Sequence, residues 1–353
     1  SDVYKRQSAC CRITVLQTVT EPEPEEPEST VDGSTVADPV DAYRGAHTLK
    51  NQVMTLYGGQ GLSLVLQYDS ARLSAGVFGI GWYHNYEKRL EIEGETAKVY
   101  SSPSVYSEYA ADAARTSFTC TSANKNGYVL TVDASKSLPY QINCNFERTE
   151  YYGADGKLAK IKDHQGFETQ ISESNGVVTI TDAVSGKKIC LEKNPDGRIC
   201  RVYDDAQRQA TFTYQGSFLT GICDLDGNRL AYTYDEAGRI KTGTDSGGVC
   251  YFSNTYDEFG RVISQRDGIA GSRPTLFSYE SGGRRVITDR NGKQSVRVFD
   301  GNGLLVSHTD ENGNTKTYAY DGRYNVIRET DAKGNSVVKT YNCLLYTSPS
   351  PRD

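Results

Sequence analysis

The sequence predicts an all-β protein, an antiparallel meander of short hairpins, and three observations predict it. The first is a recurring phrase. It reads Tyr234-Asp235-Glu236-Ala237-Gly238-Arg239-Ile240, then Tyr256-Asp257-Glu258-Phe259-Gly260-Arg261-Val262, with looser copies at Tyr279-Glu280, Phe299-Asp300, Tyr320-Asp321 and Tyr341-Asn342. Its aromatic positions are spaced by 22, 23, 20, 21 and 21 residues. The second is an interleaved Asp-x-x-Gly at 224 to 227, 245 to 248, 289 to 292, 310 to 313 and 331 to 334, with Asp267-Gly268 filling the gap. The third is what lies between: segments such as Arg229-Leu230-Ala231-Tyr232-Thr233-Tyr234 that alternate with period two and are rich in Tyr, Thr and Val, the pattern of strands.

One period of about 21 residues therefore holds two strands and two tight turns. In each turn an Asp carboxylate is placed to accept from the backbone N–H two residues on. The Gly at the fourth position takes positive φ without a Cβ penalty, the chemistry of a type I turn closed by glycine. A seven-residue strand at ~3.4 Å per residue makes a ribbon roughly 24 Å wide. In the copy Tyr320-Asp321-Gly322-Arg323-Tyr324-Asn325 the glycine and arginine are displaced, yet a hairpin is still expected.

Composition agrees. The chain of 353 residues has 34 Gly and 25 Tyr against 10 Phe, with one Trp and a mean hydropathy of −0.57, which suits a turn-dense β protein. A formal charge of −6 argues against nucleic acid or an anionic membrane as partner, because both need a basic footprint. No apolar run reaches the ~18 residues of a membrane span.

From the start of the chain, Ser1-Asp2-Val3-Tyr4-Lys5-Arg6-Gln7 can be written as a nucleotide string whose reverse complement, read one base later, encodes Cys343-Leu344-Leu345-Tyr346-Thr347-Ser348. Residues 1–7 and 343–353 are therefore expected to be translated sequencing adapter, and the native chain to continue past both. Residues 8–37 form a linker. Its Glu21-Pro22-Glu23-Pro24-Glu25-Glu26-Pro27-Glu28 repels itself and buries nothing, so it is expected to be a disordered, solvated spacer. Ser8-Ala9-Cys10 has the form of a lipoprotein signal's tail without the apolar stretch before it; an anchor at Cys10 is one expectation and an arbitrary stretch the other.

Order resumes at Asp38-Pro39-Val40, followed by the alternating run Leu62-Ser63-Leu64-Val65-Leu66-Gln67-Tyr68-Asp69. In Gly76-Val77-Phe78-Gly79-Ile80-Gly81-Trp82-Tyr83-His84-Asn85, three glycines around the one Trp predict a tight corner where backbone passes beneath a large ring. Residues 38–115 are expected to form an N-terminal β domain, 116–202 a region of eroded β repeats, and 203–342 the clear repeats. Residues 103 to 122, rich in Ala and Ser, are expected to be a loop or short helix.

Chemistry finds little support. His84 sits between aromatic residues and is expected to be structural; the sequence puts no Ser, Cys or carboxylate at a recognisable catalytic spacing from His47, His164 or His308. Asp224-Leu225-Asp226-Gly227-Asn228 resembles the head of a calcium loop, but the positions for glycine six and glutamate twelve hold Arg229 and Asp235. No Cys-x-x-Cys pair supports zinc. Cys190 and Cys200 flank a turn without being opposite, so free thiols are expected over a disulfide. No acid stands in an apolar pocket to suggest glycoside hydrolysis. Tyr232, Tyr234, Tyr318 and Tyr320 could stack on sugar rings, or be cross-strand packing pairs, the reading favoured here. No catalytic residue, cofactor or metal is assigned.

The Tyr-Asp-x-x-Gly-Arg-Ile/Val phrase at this spacing resembles the YD repeat of the RHS family, which includes bacterial polymorphic-toxin shells and the related part of animal teneurins. The carrying residues are Tyr234, Asp235, Gly238, Arg239, Tyr256, Asp257, Gly260 and Arg261, with Tyr320 and Asp321 in a looser copy. Asp38, Pro39, Gly79, Gly81, Trp82 and Asn85 resemble the domain that commonly precedes those repeats. The resemblance implies a sheet that spirals into a hollow shell. It implies a non-catalytic wall section, secreted or at the cell surface, whose partner is its own C-terminal toxin or effector domain. The alternative is a surface adhesin or carbohydrate-binding repeat protein, distinguished by whether the tyrosine faces are open or buried.

Overall fold

A computed structural model describes residues 23–24, 35–36, 39–59, 61–145, 147–341 and 347–348. Among them the one helical element is a single 3-10 turn, Ala123–Lys125; everything else regular is strand. The main body is a sheet of 25 strands from Arg89–Glu93 to Ser336–Val338, each pairing antiparallel with the next in chain order. Its first and last strands do not pair with each other, so the sheet is open rather than a barrel.

The turns take the expected form. Asp235 accepts on its backbone carbonyl from Gly238 N (3.0 Å), and Asp235 N donates to Arg239 O (2.8 Å). Its Oδ1 accepts from Ala237 N (3.1 Å) and also from Arg239 N (2.8 Å). Gly238 and Gly260 lie at φ +84° and +82°. In the displaced copy the hairpin survives with Tyr324 in the fourth position at φ 66°, and Gln207 fills the same position of its turn at φ 63°.

Five copies carry a register shift at the aromatic residue, between Thr213 and Tyr214, Thr233 and Tyr234, Thr255 and Tyr256, Val298 and Phe299, and Ala319 and Tyr320, while Tyr279 pairs with Arg285 in unbroken register. A bulge bends its strand and increases local twist. Recurring at the same position of most repeats, it bends the ribbon toward a coil. At the sheet's beginning the coil is tight: Leu90 N donates to Gly156 O (2.7 Å) and Leu158 N to Lys88 O (3.3 Å). The enclosed core includes Leu90, Tyr109, Phe118, Leu130, Ile142 and Tyr152.

A small second sheet comprises β1 (Thr48–Leu56), β2 (Leu62–Asp69) and β3 (Trp82–His84), all antiparallel. It lies on one face of the long sheet. Leu62, Leu64, Leu66, Tyr68, Phe78 and Trp82 share a core with Ile180, Leu191, Val202, Phe212, Ile222, Ile240 and Phe252. The cover extends along the sheet through Val40, packed with Val262, Phe277 and Ile287, and through Ala42, packed with Phe299, Leu305, Tyr318 and Val326.

Some expectations change. Residues 103 to 122 contain the strands Val105–Ala111 and Ser117–Cys120, because Phe118 and Cys120 supply alternate inward side chains that the small residues around them obscure. Glu23–Pro24, in the acidic run, pairs in parallel with Val105 and Tyr106. On the strand Val105–Ala111, Ser117–Cys120 takes only residues 109 to 111, which leaves the edge at Val105 and Tyr106 available. The long sheet starts at Arg89, so the expected boundary at 115 falls between two of its strands. Cys120, Cys144, Cys190, Cys200, Cys223 and Cys250 are free thiols, and Cys190 stands opposite Tyr203. Asp38, Cys10, residues 1–7 and residues 343–346 and 349–353 lie outside the described residues.

Candidate functional site

The repeat phrase closes into one recurring unit. Arg239 forms a two-pronged ion pair with Asp235 Oδ2 through Nε (2.8 Å) and a terminal nitrogen (2.7 Å), bringing the side chains of one turn together. Arg261 repeats this on Asp257 at the same distances, and Arg208 does so on Asp204. Planar bidentate pairing fixes the guanidinium plane. That plane then stacks on the aromatic residue of the next repeat: Arg239 lies 4.5 Å from the Tyr256 ring centroid, Arg261 4.5 Å from that of Tyr279.

The tyrosine completes the unit by reaching back. Tyr256 OH donates to Ile240 O (2.7 Å), and the same bond joins Tyr214 to Ile199 O (2.6 Å), Tyr234 to Leu219 O (2.6 Å), Tyr320 to Leu305 O (2.7 Å) and Tyr341 to Val326 O (2.9 Å). Ile199, Ile240, Leu305 and Val326 each lie two places after their turn's fourth position, and Leu219 follows the shorter turn at Gly216. This explains why the chain uses Tyr rather than Phe there, and sequence reasoning missed it. The signal was a separation of 15 to 16 residues between the apolar position and the following tyrosine. Two turns lacking the arginine use Asn instead: Asn314 and Asn335 donate to Asp310 and Asp331, and these donors help hold both carboxylates below their usual range.

The N-terminal segment docks on this lattice. Trp82, fully buried, donates its indole N–H to Tyr234 OH (3.1 Å) and packs 5.4 Å from the Tyr232 ring. Gly79 (φ +98°) and Gly81 (φ +75°) make the predicted corner. A Cβ on Gly79 would lie 2.6 Å from Ser217 O, and one on Gly81 2.7 Å from the Tyr68 ring. Asn85 holds the small sheet together, accepting from Val65 N (2.9 Å) and donating to Ser63 O (3.0 Å). Pro39 O accepts from Thr48 N (3.0 Å).

The segment also supplies acceptors to backbone N–H groups that follow the YD turns. Ile199 N donates to Val77 O (2.8 Å), Ile240 N to Tyr68 OH (2.9 Å) and Val262 N to Gly45 O (2.8 Å). Buried N–H groups need such partners. Tyr68, Val77 and Gly45 are therefore positioning residues whose role the sequence did not reveal.

Of the four tyrosines considered for sugar stacking, Tyr232 and Tyr318 are buried, and the hydroxyls of Tyr234 and Tyr320 are spent on backbone carbonyls. His84 is buried and packs edge-on against Phe78; burial and Lys193 push its pKa down to about 3, so it stays neutral. Among the described residues no group of three or more His, Cys, Asp or Glu could hold a metal ion. The first coil holds a cavity of about 30 Å³ lined by Lys88, Tyr109, Lys125, Cys144, Arg148 and Glu150, room for a water or two and not for a metabolite. Burial would raise the Glu150 carboxyl, but Lys88 (2.6 Å) and Arg148 (2.8 Å) hold it at about 2. No described helix is long and apolar enough to cross a membrane.

Three family models match the chain: Teneurin YD-shell over residues 124–298, RHS Repeat over 299–336, and a domain of unknown function, DUF6531, over 37–104. Similar solved structures include TcdB2-TccC3, at 10% identity and TM-score 0.31, covering 82% of this chain and 20% of that one. Another is TcdB2-TccC3-TEV, at 11% identity and TM-score 0.33, covering 91% and 21%. A third is the Photorhabdus luminescens Tc holotoxin pore, at 10% identity and TM-score 0.24, covering 88% and 23%. The chain spans about a fifth of the length of the solved chains it matches. No curated protein matches it.

Proposed function

Because the chain belongs to the RHS/YD-repeat family, we propose that it is a non-catalytic section of wall in a shell that encloses and delivers a C-terminal toxin or effector domain outside these 353 residues. The match to a shell-type family, Teneurin YD-shell, supports a structural rather than a catalytic role. The observation that carries the reading is the continuous 25-strand coil, open at its last strand, with one face occupied by the chain's own N-terminal segment. An open ribbon of this kind leaves an edge that further strands can extend. The packed tyrosines favour the shell over a carbohydrate-binding surface. An acidic, proline-punctuated stretch at residues 21–28 supports export or surface display, with an anchor at Cys10 as one route.

The test is to read the gene across both ends of this chain and express the whole reading frame. A C-terminal domain that resists protease while the shell is intact, and is digested once the shell is opened, is the expected result. A reading frame that ends in a wall anchor with no such domain, together with glycan binding by the repeats, would overturn it.

A further inference from the structure

We propose that Glu87 is a proton-operated latch on the seam where the Gly76-Val77 corner of the N-terminal segment meets the long sheet. Its Oε1 accepts from Val77 N (3.0 Å), and the carbonyl of the same Val77 accepts from Ile199 N of the long sheet (2.8 Å). Ile199 O in turn accepts from Tyr214 OH (2.6 Å). One carboxyl thus begins a line of bonds that crosses the seam. The corner is built tightly around it: a Cβ on Gly76 would lie 3.2 Å from Glu87 Oε1 and 2.3 Å from Trp82 O.

The other oxygen, Oε2, is buried and has no hydrogen-bond partner. A protonated carboxyl can occupy such a site, whereas a carboxylate there is a buried charge without compensation. The charged and titratable neighbours do not supply a contact. Arg89 is paired with Glu91 (3.0 Å) and Lys193 with Glu173, both attracting Glu87 only from a distance. Arg198 is paired with Asp196 (2.9 Å) and lies over the Tyr214 ring. His84 is neutral and Tyr214 protonated, its pKa raised by burial. Burial pushes the Glu87 carboxyl up to about 7 against the pull of the backbone at Val77 and His84 and of the charges on Arg89 and Lys193.

The sign follows from linkage. A carboxyl whose pKa is raised in the docked state stabilises docking at low pH, and that stabilisation is lost as pH rises from the exposed value of 4.5 through about 7. Acid closes the seam and alkali loosens it.

The test is amide hydrogen exchange on the full chain and on Glu87→Gln, corrected for intrinsic rates, at pH 5.5 and 8.5. Expected in the unsubstituted chain is about tenfold or greater loss of protection around Val77 and Ile199 between the two values. Protection around Val262, docked at the other end of the segment, stays constant. The Glu87→Gln chain, which keeps an acceptor for Val77 N and cannot ionise, shows no loss at either place. Constant protection in the unsubstituted chain, or an equal loss in both chains, overturns the proposal.

Discussion

The Arg239 guanidinium stacks 4.5 Å from the Tyr256 ring centroid while the hydroxyl of that tyrosine donates to Ile240 O, the carbonyl of the residue next to Arg239. The two side chains clasp one another across successive repeats, so the phrase that recurs in the sequence is also what joins each copy to the next.

Removing the clasp hydroxyl should therefore be felt. Tyr256→Phe leaves the Ile240 carbonyl without that donor beside a fully buried side chain, and a loss of about 1–2 kcal/mol in unfolding free energy is expected. Urea denaturation followed by circular dichroism measures it; an unchanged midpoint would show that the bond is dispensable.

The turns predict changes of opposite sign. Gln207→Gly relieves a non-glycine residue at φ 63° and should stabilise by about 0.5–1 kcal/mol. Gly260→Val places a β-branched residue at φ +82° and should destabilise by about 1–2 kcal/mol or more. Thermal midpoints that moved together would contradict the assigned turn geometry.

Docking of the N-terminal segment depends on one missing side chain. In Gly79→Ala the new methyl meets Ser217 O at 2.6 Å, backbone that cannot rotate away. The one Trp of the chain, Trp82, is buried in that docked segment. Its fluorescence should shift to the red, with apolar dye binding to the face around Phe212 and Tyr232; an unshifted spectrum would show the seam tolerates the methyl.

Acid should loosen the first coil rather than the seam. Glu150 has its pKa depressed in the folded chain to about 2, so its contribution is present above the ordinary value of 4.5 and lost as pH falls toward 2. On the order of 2 kcal/mol is expected to disappear over that window. Comparing denaturation at pH 6 and pH 3 checks this, since Glu150→Gln should lose much of the difference.

The sequence was informative where structure is local. Asp235, Gly238 and their counterparts announce turns because an Asp side chain and a Gly φ act within five residues, and the repeat period orders the hairpins. Tyr256 was legible as a strand residue but not as a clasp, since its acceptor lies a full hairpin away. Residues 103 to 122 were misjudged because Ala and Ser weaken the period-two signal that Phe118 and Cys120 still obey.

By itself, then, the sequence determined the all-β class, the repeat unit, its turns and the family, all written in short-range backbone chemistry. Only the tertiary structure decided which face of the ribbon is covered and by what. Trp82, Tyr68, Val77 and Gly45 find Tyr234, Ile240, Ile199 and Val262 across more than a hundred residues. Those pairings follow from the coil that the recurring bulges help produce, and a local pattern does not record the curvature to which its copies add up.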